Sequence, residues 1–163
     1  EAVISSAAEK FLEKAILFRF PNVVGVPATH GVILDFVRRL RLDPEELHVL
    51  GNGSQRKSYM HVTELVSAMN FINSTKELRG VIPVNVGPQD DGIVVKDIAE
   101  IVCSVISPHA KIQFGNENRG WVGDVPKFRY SVDLLKSLGW TPQLDSNQAI
   151  RRAVEEIAVQ EGF

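Results

Sequence analysis

Apolar and polar positions along the chain follow two periods, one typical of β-strands and one typical of α-helices. Short apolar runs predict strands at residues 15–20, 47–50, 81–86, 93–95 and 111–114. Apolar residues at three- and four-residue spacing predict helices at residues 32–40, 62–72, 98–106, 131–138 and from residue 146 onward. A stretch rich in Ala, Glu and Lys predicts a further helix at residues 5–14. Strands and helices alternate, which is typical of α/β architecture and not of a helical bundle.

Serine and glycine residues predict where the last two helices begin and end. Ser131 and Ser146 are predicted N-caps, because a serine hydroxyl accepts a backbone N–H of the first helical turn. Gly139 is predicted to end the first of these helices, since glycine readily adopts the backbone that terminates many helices. Proline and glycine predict a loop at residues 21–27. The last helix is predicted to bury one face, made of Ile150, Ala153, Val154 and Ile157.

Composition limits what the chain can bind. It has 163 residues, 44% hydrophobic and 23% charged, which is enough for one domain with a core. The net charge of −2 argues against a nucleic-acid or membrane-surface binder, since both need a basic excess. No apolar run approaches the roughly 20 residues of a membrane-spanning helix. The lone cysteine, Cys103, is predicted to be a buried thiol in a reducing, cytoplasmic compartment.

Motifs for a dinucleotide, a metal or a catalytic triad are not found in the sequence. A dinucleotide site needs a glycine-rich turn that opens a helix. The Gly-Asn-Gly at residues 51–53 instead predicts a simple turn, and Arg56 takes the place of the third glycine. The histidines are scattered, with no ligand pair at i, i+4 spacing, so no metal site is predicted. No Ser/His/Asp arrangement is recognisable from spacing.

Two loops that follow predicted strands carry side chains suited to a ligand, because ligand sites in α/β folds lie at strand ends. Asn22 follows the first predicted strand and can donate and accept hydrogen bonds at a fixed position, or simply form a turn. Arg56, Lys57 and Tyr59 place positive charge and a phenol beside a turn. This arrangement suits a phosphate, but a solvated basic turn has the same composition.

A third loop, R-G-W-V-G-D-V-P at residues 119–126, combines a cation, a large aromatic ring and a carboxylate. Arg119, Trp121 and Asp124 could together cover a ligand. Alternatively, Trp121 fills the core and Asp124 pairs with Arg119. The residue types leave both possibilities open.

Five segments in order resemble one family. They are R-F-P-N-V-V-G, T-H-G-V-I-L-D-F, G-N-G-S-Q-R-K-S-Y-M-H-V, V-N-V-G, and R-G-W-V-G-D-V-P followed by L-L-K-S-L-G-W. The pattern is similar to the C-terminal portion of the extended short-chain dehydrogenases/reductases. Within them it looks closest to the NAD-dependent nucleotide-sugar epimerases and dehydratases, and among those to UDP-glucose 4-epimerase.

The resemblance implies a fold, an activity and a cofactor. The fold would be the C-terminal part of a Rossmann-type extended short-chain dehydrogenase, with a small mixed α/β substrate-binding domain. Residues 1–27 would be a remnant of the NAD-binding domain. Residues 28–163 would bind the nucleotide sugar, with the strand at 81–86 returning to the Rossmann sheet. The complete protein is expected to be a cytoplasmic homodimer that uses NAD, held mainly by its N-terminal half, to oxidise a UDP-sugar transiently at C4.

The resemblance also implies roles for particular residues. Pro21 would lie where the backbone meets the nicotinamide, and Asn22 resembles the asparagine that contacts the sugar diphosphate. His48 and Leu50 match a short strand whose backbone reads the uracil edge. The other matches are His30, Gly31 and Val32 near the phosphates, Lys57 and Tyr59 at the diphosphate, and Arg119 and Asp124 in a loop that caps phosphate and ribose.

The chain departs from the family pattern in ways that affect chemistry. Lys57 stands where many relatives have arginine, so a point charge replaces a bidentate fork. Trp121 stands where the closing arginine of the best-known epimerases falls, so Arg119 is expected to act from two residues earlier. Glu1 and Ser5 take the positions of the catalytic Tyr and Lys, so no catalytic residue is predicted in this chain. Since it also opens without Met, the sequence is expected to be a cut or processed product.

Two alternatives keep part of this interpretation. A nucleotide-sugar 4,6-dehydratase or reductase would have the same fold and different chemistry. A non-catalytic sugar-nucleotide-binding or structural module would need no NAD. The residues that decide between these possibilities are expected in the NAD-binding half.

Overall fold

Helices and strands alternate through the described part of the chain, which confirms the predicted α/β class. The computed structural model describes residues 1–76, 78–117 and 131–163. The helices are α1 (Ala2–Ala8), α2 (Val32–Leu42), α3 (Val62–Ser74), α4 (Val95–Ile106), α5 (Asp133–Ser137) and α6 (Ser146–Gln160). The strands are β1 (Lys14–Arg19), β2 (Asn22–Val24), β3 (Glu46–Val49), β4 (Arg56–Lys57), β5 (Tyr59–His61), β6 (Gly80–Asn85), β7 (Ile93–Val94) and β8 (Lys111–Phe114).

Within the described residues the strands pair two by two. β1 pairs with β6, β2 with β5 and β3 with β8 in parallel, whereas β4 pairs antiparallel with β7. A parallel pair needs a crossover connection, and at least one helix lies between the two strands of each parallel pair. The β2–β5 register sets Asn22 opposite Tyr59, so residues far apart in sequence become neighbours.

Buried side chains form two groups. The first, here called the pocket cluster, joins α2, α4 and α6 to β3, and includes Ile33, Phe36, Val37, Leu47, Ile98, Val102, Ile150 and Val154. The second, here called the strand cluster, joins α3, α5 and β6, and consists of Met60, Leu65, Ala68, Ile72, Ile82, Val84, Val86 and Leu135. The predicted apolar face of α6 is buried throughout. Cys103 is buried as predicted, and burial raises the pKa of its thiol.

Two local predictions in the first 27 residues are wrong. The first helix covers Ala2–Ala8 and ends before residues 9–13, which turn the chain so that Gly80 N–H donates to the Glu13 carbonyl oxygen beside β1. Helix propensity alone therefore extends the helix too far. The predicted loop at 21–27 contains the short strand β2, because pairing with β5 supplies backbone hydrogen bonds that the local sequence does not reveal.

Both predicted serine caps are also wrong by one residue. The N-cap of α6 is Asp145, which forms a reciprocal capping box with Gln148. Ser146 is instead the first helical residue, and its hydroxyl donates to Asp90. The N-cap of α5 is Val132, one residue after the predicted one. The Ser131 hydroxyl nevertheless accepts the Asp133 backbone N–H at 3.4 Å, as predicted, and donates to the Asp133 carboxylate at 2.6 Å. Gly139 does follow the end of α5 with a φ of 97°, as predicted.

Candidate functional site

A pocket forms where β2 and the start of α2 face the β4–β5 segment. Its volume is about 840 Å³, within the range of about 300–1,000 Å³ usual for small-molecule sites. Residues 22–36 supply most of its lining in one continuous stretch. The remainder comes from Val49, Leu50, Gln55, Lys57, Tyr59, Val62, Val95 and Ile157. The pocket is thus built from segments that only the fold brings together.

One side of the pocket is continuous with the core. Ile33, Phe36 and Val49 line the pocket and belong to the pocket cluster, each with less than 5% of its surface exposed. Tyr59 also lines the pocket, although only 6% of it is exposed. Because these side chains are fixed by packing, they give the ligand space a rigid apolar wall.

The N-terminus of α2 opens into the pocket. Gly31 is its N-cap with a φ of 108°, and no described side chain caps the first turn. A Cβ added at Gly31 would meet no atom within 4 Å, so the space beside this helix end is open. Uncapped backbone N–H groups lie at the positive end of the helix dipole, and together they suit an anionic group.

Charged side chains are few in the described lining. Lys57 on β4 is its only lysine or arginine. Asp35 lies in the first turn of α2, but its carboxylate is 2.9 Å from Arg39 Nη2, which balances the charge. The exposed His30 ring has its Nδ1 3.0 Å from Thr29 Oγ1. The pocket therefore places one lysine near an uncapped helix N-terminus, an arrangement that can hold a phosphate.

A buried histidine supports the pocket from behind. The His61 side chain is fully buried, with Nε2 2.9 Å from Glu156 Oε2 and Nδ1 accepting the Thr63 backbone N–H. A Cβ added at Gly25 would lie 3.0 Å from His61 Nε2, so only glycine lets the pocket lining pass this close. Burial raises the pKa of Glu156, but hydrogen bonds from His61 and Arg152 outweigh it and hold that pKa below its usual value.

Most of the site residues expected from the sequence lie in this pocket. Its lining includes Asn22, His30, Gly31, Val32, Leu50, Lys57 and Tyr59. Pro21 is buried next to Asn22 without lining the pocket. Arg119, Trp121 and Asp124 lie outside the described residues.

His48 is not brought into the pocket. Its side chain on β3 is 70% exposed, and its Nε2 lies 2.7 Å from Glu46 Oε1. Its carbonyl oxygen accepts a hydrogen bond from Arg39 Nη1 at 2.8 Å. This carbonyl therefore already has a side-chain donor, whereas the neighbouring Leu50 is 62% exposed and lines the pocket.

Sequence reasoning missed several lining residues. Thr29, Asp35, Gln55 and Val95 all line the pocket without belonging to a predicted site. Thr29 and Asp35 flank the His30–Val32 segment, so their closeness in sequence was a usable signal. Val95 begins α4 and reaches the pocket only through the pairing of β4 with β7, which no local pattern predicts.

Comparison with known proteins identifies a family. The model described as the NAD dependent epimerase/dehydratase family matches residues 1–87, more than half of the chain. The chain belongs to this family. The family resemblance drawn from the five sequence segments is thereby confirmed.

Individual members of the family are similar over different shares of their length. A solved structure described as UDP-galactose 4-epimerase is 32% identical, with a TM-score of 0.83 over all of this chain and 52% of that one. UDP-glucuronic acid decarboxylase 4 of Arabidopsis thaliana is 30% identical over 128 residues, 77% of this chain and 27% of that protein. A solved structure described as MoeE5 in complex with UDP-glucuronic acid and NAD is 20% identical, with a TM-score of 0.71 over 91% of this chain and 48% of that one. At this low identity, the similarity supports a shared fold and nothing more. The chain therefore spans about half the length of these solved relatives and about a third or less of the curated ones.

Members of this family depend on NAD, and the Gly51–Gly53 turn is the only Gly-x-Gly in the sequence. Gly51 and Gly53 have φ values of 73° and 74°, as expected for a turn. A Cβ added at Gly53 would lie 2.7 Å from the Phe114 ring, so this glycine is needed for packing. The turn leads into strand β4 and not into a helix. It does not fit the glycine-rich turn that holds a pyrophosphate.

The first helix carries no residue of the family's Tyr and Lys pair. Glu1 precedes α1, and its carboxylate accepts a hydrogen bond from Arg19 Nε at 2.7 Å. Ser5 lies within α1, which has no buried residue. Glu1, at the start of this helix, therefore forms an exposed ion pair with Arg19 on β1.

In the described part of the chain, no helix is long and apolar enough to cross a membrane. Across the same residues, no three His, Cys, Asp or Glu side chains lie together as metal ligands.

Proposed function

We propose that this chain is the nucleotide-sugar-binding part of an NAD-dependent UDP-sugar 4-epimerase of the UDP-glucose/UDP-galactose type. One observation carries the proposal: residues picked from separate sequence segments for contacts with a nucleotide sugar line a single pocket. The pocket is also lined by both an uncapped helix N-terminus and a lysine, and backbone N–H groups and a cation of this kind bind the oxygens of a diphosphate. The similarity to UDP-galactose 4-epimerase over the whole chain supports the same substrate class.

In this proposal, residues of the pocket and of neighbouring segments bind different parts of the substrate. The first turn of α2 at Gly31 and Val32, with Asn22, His30 and Lys57, holds the diphosphate. Tyr59 packs beside it, and the backbone of Leu50, two residues after His48, faces the uracil. Arg119 and Asp124 would close over phosphate and ribose, and Pro21 would contact the nicotinamide. NAD supplies transient oxidation at C4 when bound, whereas the residues of this chain bind and orient the sugar nucleotide.

The proposal includes an arrangement of the complete protein. Residues 1–27 would belong with the NAD-binding domain, and residues 28–163 would form the C-terminal substrate-binding region. The strand at 81–86 would return to the sheet of the NAD-binding domain, and the parallel pairing of β1 with β6 supports this return. The complete protein would be a cytoplasmic homodimer.

A second candidate has an observation in its favour. The identity to UDP-glucuronic acid decarboxylase 4 is 30% over 77% of this chain, close to the 32% identity to UDP-galactose 4-epimerase over the whole chain. A decarboxylase, dehydratase or reductase would use the same pocket for the nucleotide and act differently on the sugar. Only the products formed from each sugar nucleotide separate these activities.

Binding is tested by titrating the complete protein with UDP in a calorimeter. Lys57→Glu should weaken UDP binding by at least about tenfold, since a charge-assisted contact becomes a repulsion. Lys111→Glu is the matched control, because Lys111 is an exposed strand lysine outside the pocket lining. Unchanged affinity in Lys57→Glu would remove this residue from the diphosphate site.

Activity is tested by incubating the complete protein with NAD and UDP-glucose and identifying the products by NMR. UDP-galactose is the expected product. A deoxy, keto or decarboxylated sugar from this or another UDP-sugar would assign the second candidate instead. UDP binding with no product from any UDP-sugar would leave a non-catalytic module.

A further inference from the structure

A buried serine joins three segments behind the pocket. Ser146, 1% exposed, begins α6, and its hydroxyl donates to Asp90 Oδ1 at 2.8 Å while accepting the Tyr59 backbone N–H at 3.1 Å. The Ser146 backbone N–H donates to Asp90 Oδ2. Asp90 Oδ1 also accepts the Gly92 backbone N–H at 2.6 Å. One carboxylate thus binds the N-terminus of α6, the start of β7 and, through Ser146, the start of β5.

This network leads directly to the pocket's lysine. Lys57 on β4 pairs with Ile93 on β7, directly after Gly92. Arg56 Nη1 donates to the Gly92 carbonyl oxygen at 2.7 Å. A Cβ added at Gly92 would lie 2.4 Å from the Lys57 carbonyl oxygen, so the two backbones touch. A shift of Gly92 would therefore move Lys57.

The same network leads to the other side of the pocket. The Tyr59 N–H that Ser146 accepts belongs to β5, and β5 pairs in parallel with β2. In that register Tyr59 lies opposite Asn22. The backbone positions of Asn22, Lys57 and Tyr59 thus depend on a carboxylate that is not in the pocket lining.

We propose that Asp90 is a positioning residue that fixes the Lys57–Tyr59 wall of the pocket for its ligand. An ionised carboxylate accepts hydrogen bonds only, and Asp90 faces one hydroxyl donor and two backbone N–H donors. Its charge also lies at the N-terminus of α6, where the helix dipole favours an anion. An asparagine side chain would place an NH₂ group, which is a donor, against one of these donors, and the hydrogen bond at that position would be lost. The ligand in question, a nucleoside diphosphate, rests on the proposed function.

The test compares variants of the complete protein for UDP affinity and for amide hydrogen exchange. Asp90→Asn should weaken UDP binding about tenfold, as expected for loss of charge-assisted hydrogen bonds, and raise KM for the UDP-sugar more than it changes kcat. It should also speed exchange of the Tyr59 amide. Ser146→Ala, which keeps the carboxylate but removes the acceptor of the Tyr59 N–H, should speed the same exchange if Asp90→Asn does not fold.

Asp145→Ala is the matched control. Asp145 caps the same helix by accepting the Gln148 N–H, and it is exposed. This variant should lose stability yet keep UDP affinity within about twofold. Equal weakening of UDP binding by Asp145→Ala and Asp90→Asn would overturn the proposal, because any loosening of α6 would then suffice.

The two proposals can fail separately. If the unaltered protein binds no UDP, the proposed function fails and the exchange data alone decide the role of Asp90. Faster exchange at Tyr59 in Asp90→Asn but not in Asp145→Ala would still support positioning of this wall. Unchanged exchange at Tyr59 in both Asp90→Asn and Ser146→Ala would overturn it.

Discussion

The pocket cluster and the strand cluster differ in how completely the described residues enclose them. In the pocket cluster, α2 and α4 each contribute five buried residues and α6 contributes four, and Leu47 on β3 is fully buried. Strand β1 packs against the strand cluster with only half-buried or exposed residues, and α1 has no buried residue at all. Val3 in α1 and Phe11, between α1 and β1, are 83% and 73% exposed.

The difference follows from the kind of strand each region uses. Parallel strands are normally covered on both faces, so their sequences are apolar on both sides. β1, with the sequence K-A-I-L-F-R, has this character, yet its described neighbours pair with one edge only. An open groove beside it is lined by Ile16, Phe18 and Met69. The pocket is therefore lined by the pocket cluster, the region whose buried side chains are enclosed by other described residues.

The largest expected effect comes from truncating the same residue type in both regions. Leu47→Ala should lower the free energy of unfolding of this chain by about 3 kcal/mol, because it leaves a cavity in a closed core. Leu17→Ala on the half-buried strand β1 should cost only about 1 kcal/mol. Urea unfolding measures both. Equal losses would mean that β1 is as well covered as β3 and would break the comparison.

The next largest loss of stability is expected when one glycine in each region is replaced by alanine. Gly92→Ala near the pocket should cost about 2 kcal/mol, since φ is 80° and the new Cβ would press on the Lys57 carbonyl. Gly139→Ala after α5 should cost about 1 kcal/mol, because φ is 97° but no atom lies within 4 Å of the new Cβ. Thermal unfolding of both variants checks this order. A smaller loss for Gly92→Ala would show that β4 and β7 can move apart.

The fold could be predicted where a segment carries its own pattern. The helices α2, α4 and α6 have apolar residues at helical spacing, and their buried faces match that spacing. The strand β8 is predicted with its observed bounds. The strands β2, β4 and β5 were missed, because each is two or three residues long and depends on a partner more than 30 residues away. Short strands of this kind have no periodicity to detect.

In the candidate site, too, some residues could be predicted from the sequence and others could not. Asn22, Lys57 and Tyr59 were found because they lie in segments that resemble a family. The residues that support them were not found, since Asp90 meets Ser146 across 56 positions and His61 meets Glu156 across 95. From the sequence alone, each of these residues looks like an ordinary turn residue, helix cap or surface charge. Their connection exists only in the folded chain.

The smallest effect concerns two glutamates, one in each region. Glu156 has a lowered pKa beside the buried His61, and Glu1 has a lowered pKa from its hydrogen bond and charge contact with the exposed Arg19. A carboxyl whose folded pKa lies below its ordinary value of 4.5 stabilises the fold above that pH. Its contribution is lost as the pH falls below 4.5 through the folded pKa. Both variants to glutamine should therefore differ from the unaltered chain more at neutral pH than in acid.

The stability losses caused by the two substitutions should respond differently to salt. Glu156→Gln should cost about 1 kcal/mol at neutral pH, and the loss should persist in about 1 M NaCl because the His61 side chain is excluded from solvent. The effect of Glu1→Gln should disappear in the same salt, since both members of its pair are about half exposed. Denaturant unfolding at neutral and acid pH, with and without salt, gives all of these values. If salt removed the effect of Glu156→Gln as well, the His61–Glu156 pair would be open to solvent and the support behind the pocket would be no firmer than the surface of β1.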